Sequence, residues 1–178
     1  MRILETKLYG IDELSGEAKK HAIEETSRLY IESESMFTLD EIINTANEIA
    51  EAFDMRITNY SVGFFDRRYI DVDNYRYMEQ DNETKNAYVK WINENMKAGV
   101  DGACQFTGVC WDAYFFDALM EYEEITYNNF HKIVPQAIED GVVLAVRSIE
   151  DASMDNELMY DEAVNSGLEF YEDGSIYV

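Results

Sequence analysis

Two aspartates set one residue apart, in Asp71-Val72-Asp73-Asn74, are the first side chains whose type and spacing suit chemistry. On a strand, residues two apart share a face, so both carboxylates would point to one side, an arrangement that hard divalent cations use. Arg76 stands where an EF-hand loop requires glycine, which excludes that loop. Solvated aspartates at a strand end are the commoner outcome. A small metal-assisted enzyme using Asp71 and Asp73 is therefore the alternative reading, and it requires a third carboxylate in the same pocket.

The other reactive residues are few. The histidines are His21, on the inner edge of an expected helix, and His131, just after the acidic run Glu121–Glu124. The cysteines, Cys104 and Cys110, match no zinc spacing, and six residues apart on a strand they would share one face as small buried thiols. No serine or cysteine stands in a nucleophile-elbow context. Gly99, Gly102 and Gly108 form neither a phosphate loop nor a dinucleotide fingerprint. No catalytic set, bound metal or cofactor is expected. Arg67-Arg68, the adjacent arginine pair, reads first as a soluble hairpin turn and second as a contact to acidic residues.

Charge is the dominant feature. The 178 residues carry 37 Asp and Glu against 14 Lys and Arg, a net charge of −23. From Glu121 to the end, 14 carboxylates face two cations, Lys132 and Arg147. Such a field opposes unaided binding to nucleic acid or an anionic membrane and favours a basic partner. The chain is nonetheless rich in core-forming residues, 47% hydrophobic with 13 Tyr and 9 Phe, unlike a disordered acidic tail. Its size fits one domain over residues 1–178. With two cysteines, no secretory segment and no apolar run able to span a bilayer, a reduced, cytoplasmic setting is expected.

Eight of those carboxylates come in pairs along two expected helices and their connection: Glu139/Asp140, Glu150/Asp151, Asp155/Glu157 and Asp161/Glu162. Duplex DNA carries one charge per roughly 1.7 Å of axis, and a helix rises about 1.5 Å per residue. Rows of acids on stiff helices therefore suit a cationic groove built for a polynucleotide. Solubility alone is the plainer account of the same residues.

The elements that must carry these groups follow from periodicity. The pattern predicts a strand over Arg2–Tyr9, then a helix capped by Ser15 and running to about Tyr30, with Ala18, Ala22 and Leu29 inside. Thr38-Leu39-Asp40-Glu41 reads as a capping box, stapled by Phe37 and Ile42, opening a second helix. Its stripe is Ile42, Ala46, Ile49, Ala50 and Phe53, and it ends near Asp54. Arg56–Phe65, with Tyr60, Val62 and Phe64 on one face, and Tyr69–Val72, with Ile70 and Val72 inward, read as a hairpin about Asp66-Arg67-Arg68. A polar loop over 74–80 follows, then a helix over Asn82–Lys97 closed by Gly99, a buried strand over Ala103–Cys110, and a short helix capped by Asp112. Pro135 is expected in the first turn of a helix reaching Ala152, its stripe being Ile138, Gly141, Ala145, Ile149 and Ala152. A last helix, Asn156–Asn165, ends at Gly167, and the tail reads as a hairpin turning at Asp173-Gly174. The expected fold is α+β, a mainly antiparallel sheet of four to six strands with helices on at least one face.

The opening Leu8-Tyr9-Gly10-Ile11-Asp12-Glu13-Leu14-Ser15-Gly16-Glu17-Ala18-Lys19-Lys20-His21-Ala22-Ile23 resembles that of a family of small acidic proteins common in phages and mobile elements. Phe106-Thr107-Gly108-Val109-Cys110-Trp111-Asp112 and the tail Leu168–Tyr177 resemble it too. The likeness covers about a fifth of the chain and includes no catalytic signature. It implies phage origin, a setting in which small acidic proteins often inhibit host defence, some by imitating DNA. The combined expectation is a non-enzymatic, anti-restriction or anti-CRISPR type inhibitor in the host cytoplasm. Its partner is a basic nuclease or other nucleic-acid-binding protein, with no direct binding to nucleic acid or membrane. A self-associating structural protein, forming a homodimer through Tyr69, Tyr75 and Tyr77, is the remaining alternative.

Overall fold

The computed structural model describes residues 6–98, 106 and 111–177. They form a 3-10 turn at Ile11–Glu13, then helix α1 (Gly16–Ala52) and strands β1 (Arg56–Ser61) and β2 (Tyr69–Asp73). Helices α2 (Tyr75–Glu79), α3 (Asn82–Ala98), α4 (Asp112–Met120), α5 (Phe130–Met154) and α6 (Asn156–Asn165) follow. The class is α+β, but helices carry it. The expected sheet of four to six strands is replaced, among the described residues, by one two-stranded antiparallel ribbon. The strand expected at Ala103–Cys110 lies outside the described residues apart from Phe106.

The chain divides into two compact units, Met1–Met36 with Ser148–Val178, and Phe37–Arg147. In the first, Ile11, Leu14, Ala22, Ala163 and Phe170 make a small core, flanked by Tyr9, Tyr160, Leu168 and Ile176. The described part of the expected first strand shrinks to one bridge: Tyr9 and Phe170 exchange N–H···O bonds of 2.9 Å each way. The tail turns where predicted. Gly174 takes φ +88°, and a Cβ there would stand 2.1 Å from the Ala18 carbonyl oxygen of α1. Only glycine permits that conformation and that approach together. His21 Nδ1 lies 2.9 Å from the Asp173 carbonyl and fixes the same turn.

In the second unit an aromatic cluster fills the core. Phe53 meets Tyr88, Trp91, Phe106 and Phe130 with ring centroids 5.6–6.0 Å apart, and Tyr77 stacks on Phe130 at 4.9 Å. Edge-to-face geometry of this kind adds to the large area such rings bury. The predicted stripe of Ile42, Ala46, Ile49, Ala50 and Phe53 is buried throughout. Ile138, Gly141, Val142 and Ala145 of α5 line the same interior as Ile42, Ala46 and Ile49. Gly141 lets α4 close in, since a Cβ there would fall 2.9 Å from the Phe115 Cα. The β1–β2 pairing matches Arg56 with Asp73 and Tyr60 with Ile70, with a register shift between Ile57 and Asn59. Ile70 is buried as expected, whereas Tyr60 is exposed and β1 stops at Ser61, four residues short of the expected Phe65, which leaves Val62 and Phe64 outside it.

Three helix boundaries also depart from the sequence pattern. Helix α1 is continuous for 37 residues and runs through Thr38–Glu41, so the capping box lies in a helix interior. No glycine or proline breaks residues 31–37, and Ser33 and Ser35 return their hydroxyls to the carbonyls three residues back. Those serines satisfy themselves inside the helix instead of ending it. Phe37 is consequently 69% exposed and makes no staple, and Leu29 is exposed as well. The polar loop over 74–80 is instead helix α2 with Tyr77 buried. The third departure is at Pro135, which sits inside α5 rather than in its first turn. Proline cannot donate to the carbonyl four residues back, here His131. The Asn74 side-chain amide donates to that carbonyl at 2.7 Å and takes the place of the missing N–H.

Candidate functional site

The eight paired carboxylates fall in both units. Glu139 and Asp140 belong to the second, on α5, and are half-buried; the Gln136 amide donates to both, at 3.4 and 3.1 Å. The other six belong to the first. Asp151, Asp155, Glu157 and Asp161 are exposed and Glu162 is half-buried. Glu150 is only 7% exposed, and its hydrophobic neighbours Ile149 and Val146 are buried with it. It follows that Glu150 cannot face a partner and leaves the candidate surface. Acid pairs in sequence point about 100° apart around a helix, so one member of an adjacent pair can turn inward.

Helix α6 mounts its acids firmly. Asp155 is its N-cap, accepting from the Glu157 and Leu158 amides at 2.8 and 3.2 Å. Its carboxylate therefore offsets the positive helix end and is already engaged. Glu157 and Asp161, four residues apart, share the exposed side, while Met159 and Ala163 hold the helix to the core. Glu162 accepts from the Ser166 hydroxyl at 2.6 Å. The first unit holds 17 Asp and Glu against five Lys and Arg in 67 residues, the denser charge of the two. Tyrosines register these acids. Burial lifts the Tyr30 phenol, with Glu34 and Glu162 adding to it, and burial lifts Tyr122, with Asp140 adding. At Tyr160 the bond to Asp12 leads, followed by burial and then by the charges of Asp12 and Asp161.

The alternatives lose ground. Asp71 and Asp73 are exposed on one side of β2, as the two-residue spacing required. Asp73 is spent on the Tyr75 amide at 2.9 Å, and Asn59 stands 3.4 Å from the Asp71 carboxylate. Among the described residues no group of three or more His, Cys, Asp or Glu side chains converges for a metal. Cys104 and Cys110 lie outside those residues. Arg68 donates to the Gly63 carbonyl at 3.0 Å, a contact within the hairpin itself. Of the tyrosines considered for self-association, Tyr69 and Tyr75 are exposed, but Tyr77 is 2% exposed and belongs to the core. Asp112 does not cap α4 as expected; buried in its first turn, it accepts from the Phe106 amide at 2.7 Å.

Two residues escaped the sequence reading. Asn74 was visible only as a loop residue, because its role depends on a helix 57 positions away. Lys85 is 8% exposed and carried a readable signal. It lies three and seven residues before Tyr88 and Ile92, on the stripe that α3 buries. No protein-family model, curated protein or solved structure matches the chain. No helix among the described residues is long and apolar enough to cross a membrane.

Proposed function

We propose that the protein is a phage-type, non-enzymatic inhibitor that binds a basic, nucleic-acid-handling host protein through an acidic surface imitating DNA. The observation that supports it is the mounting of Glu157 and Asp161 on one exposed side of a capped, core-anchored helix, in a unit with 17 acids and five bases. Fixed carboxylates lose little conformational freedom on binding and displace counterions from a Lys/Arg groove as phosphates do. The surface comprises Asp151, Asp155, Glu157, Asp161 and Glu162 of the first unit; Glu139 and Asp140, in the second unit, are left out of it. Inhibition is by competition, in the host cytoplasm, against a restriction or CRISPR nuclease or another DNA-binding protein.

The test is capture of bacterial lysate proteins on the immobilised protein at low salt, eluted either with rising salt or with duplex DNA. Nucleic-acid-binding proteins should be retained and released by both. A triple variant, Asp151→Asn, Glu157→Gln and Asp161→Asn, should flatten the salt dependence, by roughly 0.7–0.9 in log–log slope per lost contact. Retention that ignores both salt and DNA, or a triple variant that binds unchanged, ends the proposal.

A further inference from the structure

Lys85 is a buried cation in a strongly anionic chain, and among the described residues it forms no direct ion pair; the Asp81 carboxylate, four residues before it, feels its charge at longer range while accepting from the Thr84 amide at 2.8 Å. Its ammonium donates to the Met78 carbonyl at 2.8 Å and lies 5.5 Å and 6.0 Å from the ring centroids of Tyr77 and Tyr127. Among the described residues no carboxylate comes within ion-pair distance of it. An ammonium has three donors, and here one acceptor uses one of them. The Tyr77 hydroxyl, in a residue 2% exposed, has no hydrogen-bond partner among the described residues. A buried ammonium without a direct ion pair and a buried hydroxyl without a partner are each costly, and native interiors hold few of either. Both residues line one pocket of about 140 Å³, together with Met78, Tyr127, Asn128 and His131. Met78, Tyr127 and Asn128 are exposed, so the pocket reaches solvent while Tyr77 and Lys85 are its buried members.

We infer that this pocket is a binding site for a small organic monocarboxylate, held by the Lys85 ammonium and the Tyr77 hydroxyl. One carboxylate accepts from both groups and supplies a direct ion pair. The volume is below the 300–1,000 Å³ of ordinary drug-sized sites, which limits the ligand to a few carbons. The Tyr127 ring and the Met78 side chain give its short apolar tail a place to lie. A phosphate dianion fits less well: it brings two charges to one ammonium within a chain of net charge −23. The site lies in the second unit and is independent of the acidic residues on α6.

The experiment is a titration of the full chain with sodium butyrate, against sodium chloride and sodium phosphate at matched ionic strength. Ionic strength is held near 0.15 M, where the Debye length is about 8 Å and distant carboxylates are screened. Signals of Lys85 and the Tyr77 ring are followed by nuclear magnetic resonance, and Tm by calorimetry. Butyrate should shift both residues saturably, with a millimolar Kd, and raise Tm; chloride and phosphate should do neither. Lys85→Met should weaken butyrate binding more than tenfold. Should that variant fail to fold, Tyr77→Phe serves alone: it removes one hydrogen bond to a charged group and should weaken binding by about tenfold while the unliganded protein stays folded. Absence of saturable shifts, equal binding of phosphate, or unchanged affinity in Tyr77→Phe overturns the assignment and leaves a pocket filled by water.

Discussion

The bond from Asn74 to the His131 carbonyl permits a quantitative test of how α5 tolerates Pro135. In Asn74→Ala the carbonyl loses the donor that replaced the proline's missing N–H. A lost hydrogen bond costs about 0.5–1.5 kcal/mol net, and a carbonyl left dry costs about 1–3 kcal/mol. The bond is only partly buried, so water recovers some of this and about 1–1.5 kcal/mol is expected. In a Pro135→Ala background, residue 135 regains an N–H directed at His131, and the same Asn74→Ala change should cost at most about 0.5 kcal/mol. The coupling is then roughly 1 kcal/mol, about a fivefold change in the folding constant. Urea unfolding followed by circular dichroism reads it: with m near 2 kcal/mol/M, Asn74→Ala should lower the midpoint by about 0.5 M and the double variant by much less than the sum. Equal costs of Asn74→Ala in both backgrounds would refute the reasoning and reduce the contact to ordinary packing.

Other outcomes follow from the same structure. Gly174→Ala places a methyl 2.1 Å from the Ala18 oxygen at φ +88° and should destabilise the chain by more than about 2 kcal/mol, read as a fall in Tm; an unchanged Tm would mean the turn does not sit on α1. If α1 is unbroken, Ser33→Ala should exceed Ser33→Gly in stability by about 1 kcal/mol, whereas a loop at this position would show almost no difference. Tyr88 is pushed up to about 12 by burial first, then by its 2.6 Å bond to Asp54 and by that carboxylate's charge. A phenol whose folded value exceeds its unfolded one near 10 contributes stability below pH 10 and loses it as pH rises to 12. Tyr88→Phe should therefore flatten the alkaline unfolding curve in that window, and a curve identical to the parent's would dismiss the Asp54 contact.

Local signals were legible where one helix or turn decides the outcome alone. The stripe from Ile42 to Phe53, the antiparallel pairing of β1 with β2 though not the end or inner face of β1, the limits of α6 and the Asp173-Gly174 turn follow from periodicity and turn chemistry. The sequence pattern misled where a start signal stood inside a longer helix. Thr38–Glu41 has capping chemistry, but nothing upstream stops the helix, and a cap is used only where a helix begins. Pro135 misplaced the start of α5 because its remedy, Asn74, comes from elsewhere in the chain. For the site, the density of acids was plain, yet the inward turn of Glu150 depends on helix phase and was not. Lys85 was passed over because a lysine on an apolar stripe is usually a snorkelling edge residue.

The exchange of bonds between Tyr9 and Phe170 has a consequence for biogenesis. Phe37–Arg147 is contiguous, so all of that unit has been translated before the ribosome reaches Ser148. The other unit joins residues before Phe37 to residues after Arg147 and must await synthesis of the latter. Until then Ile11, Leu14 and Ala22 have no Phe170 to cover them. The nascent acidic segment from Gly16 to Met36 is thus the part of the molecule most open to proteases and chaperones while synthesis is under way.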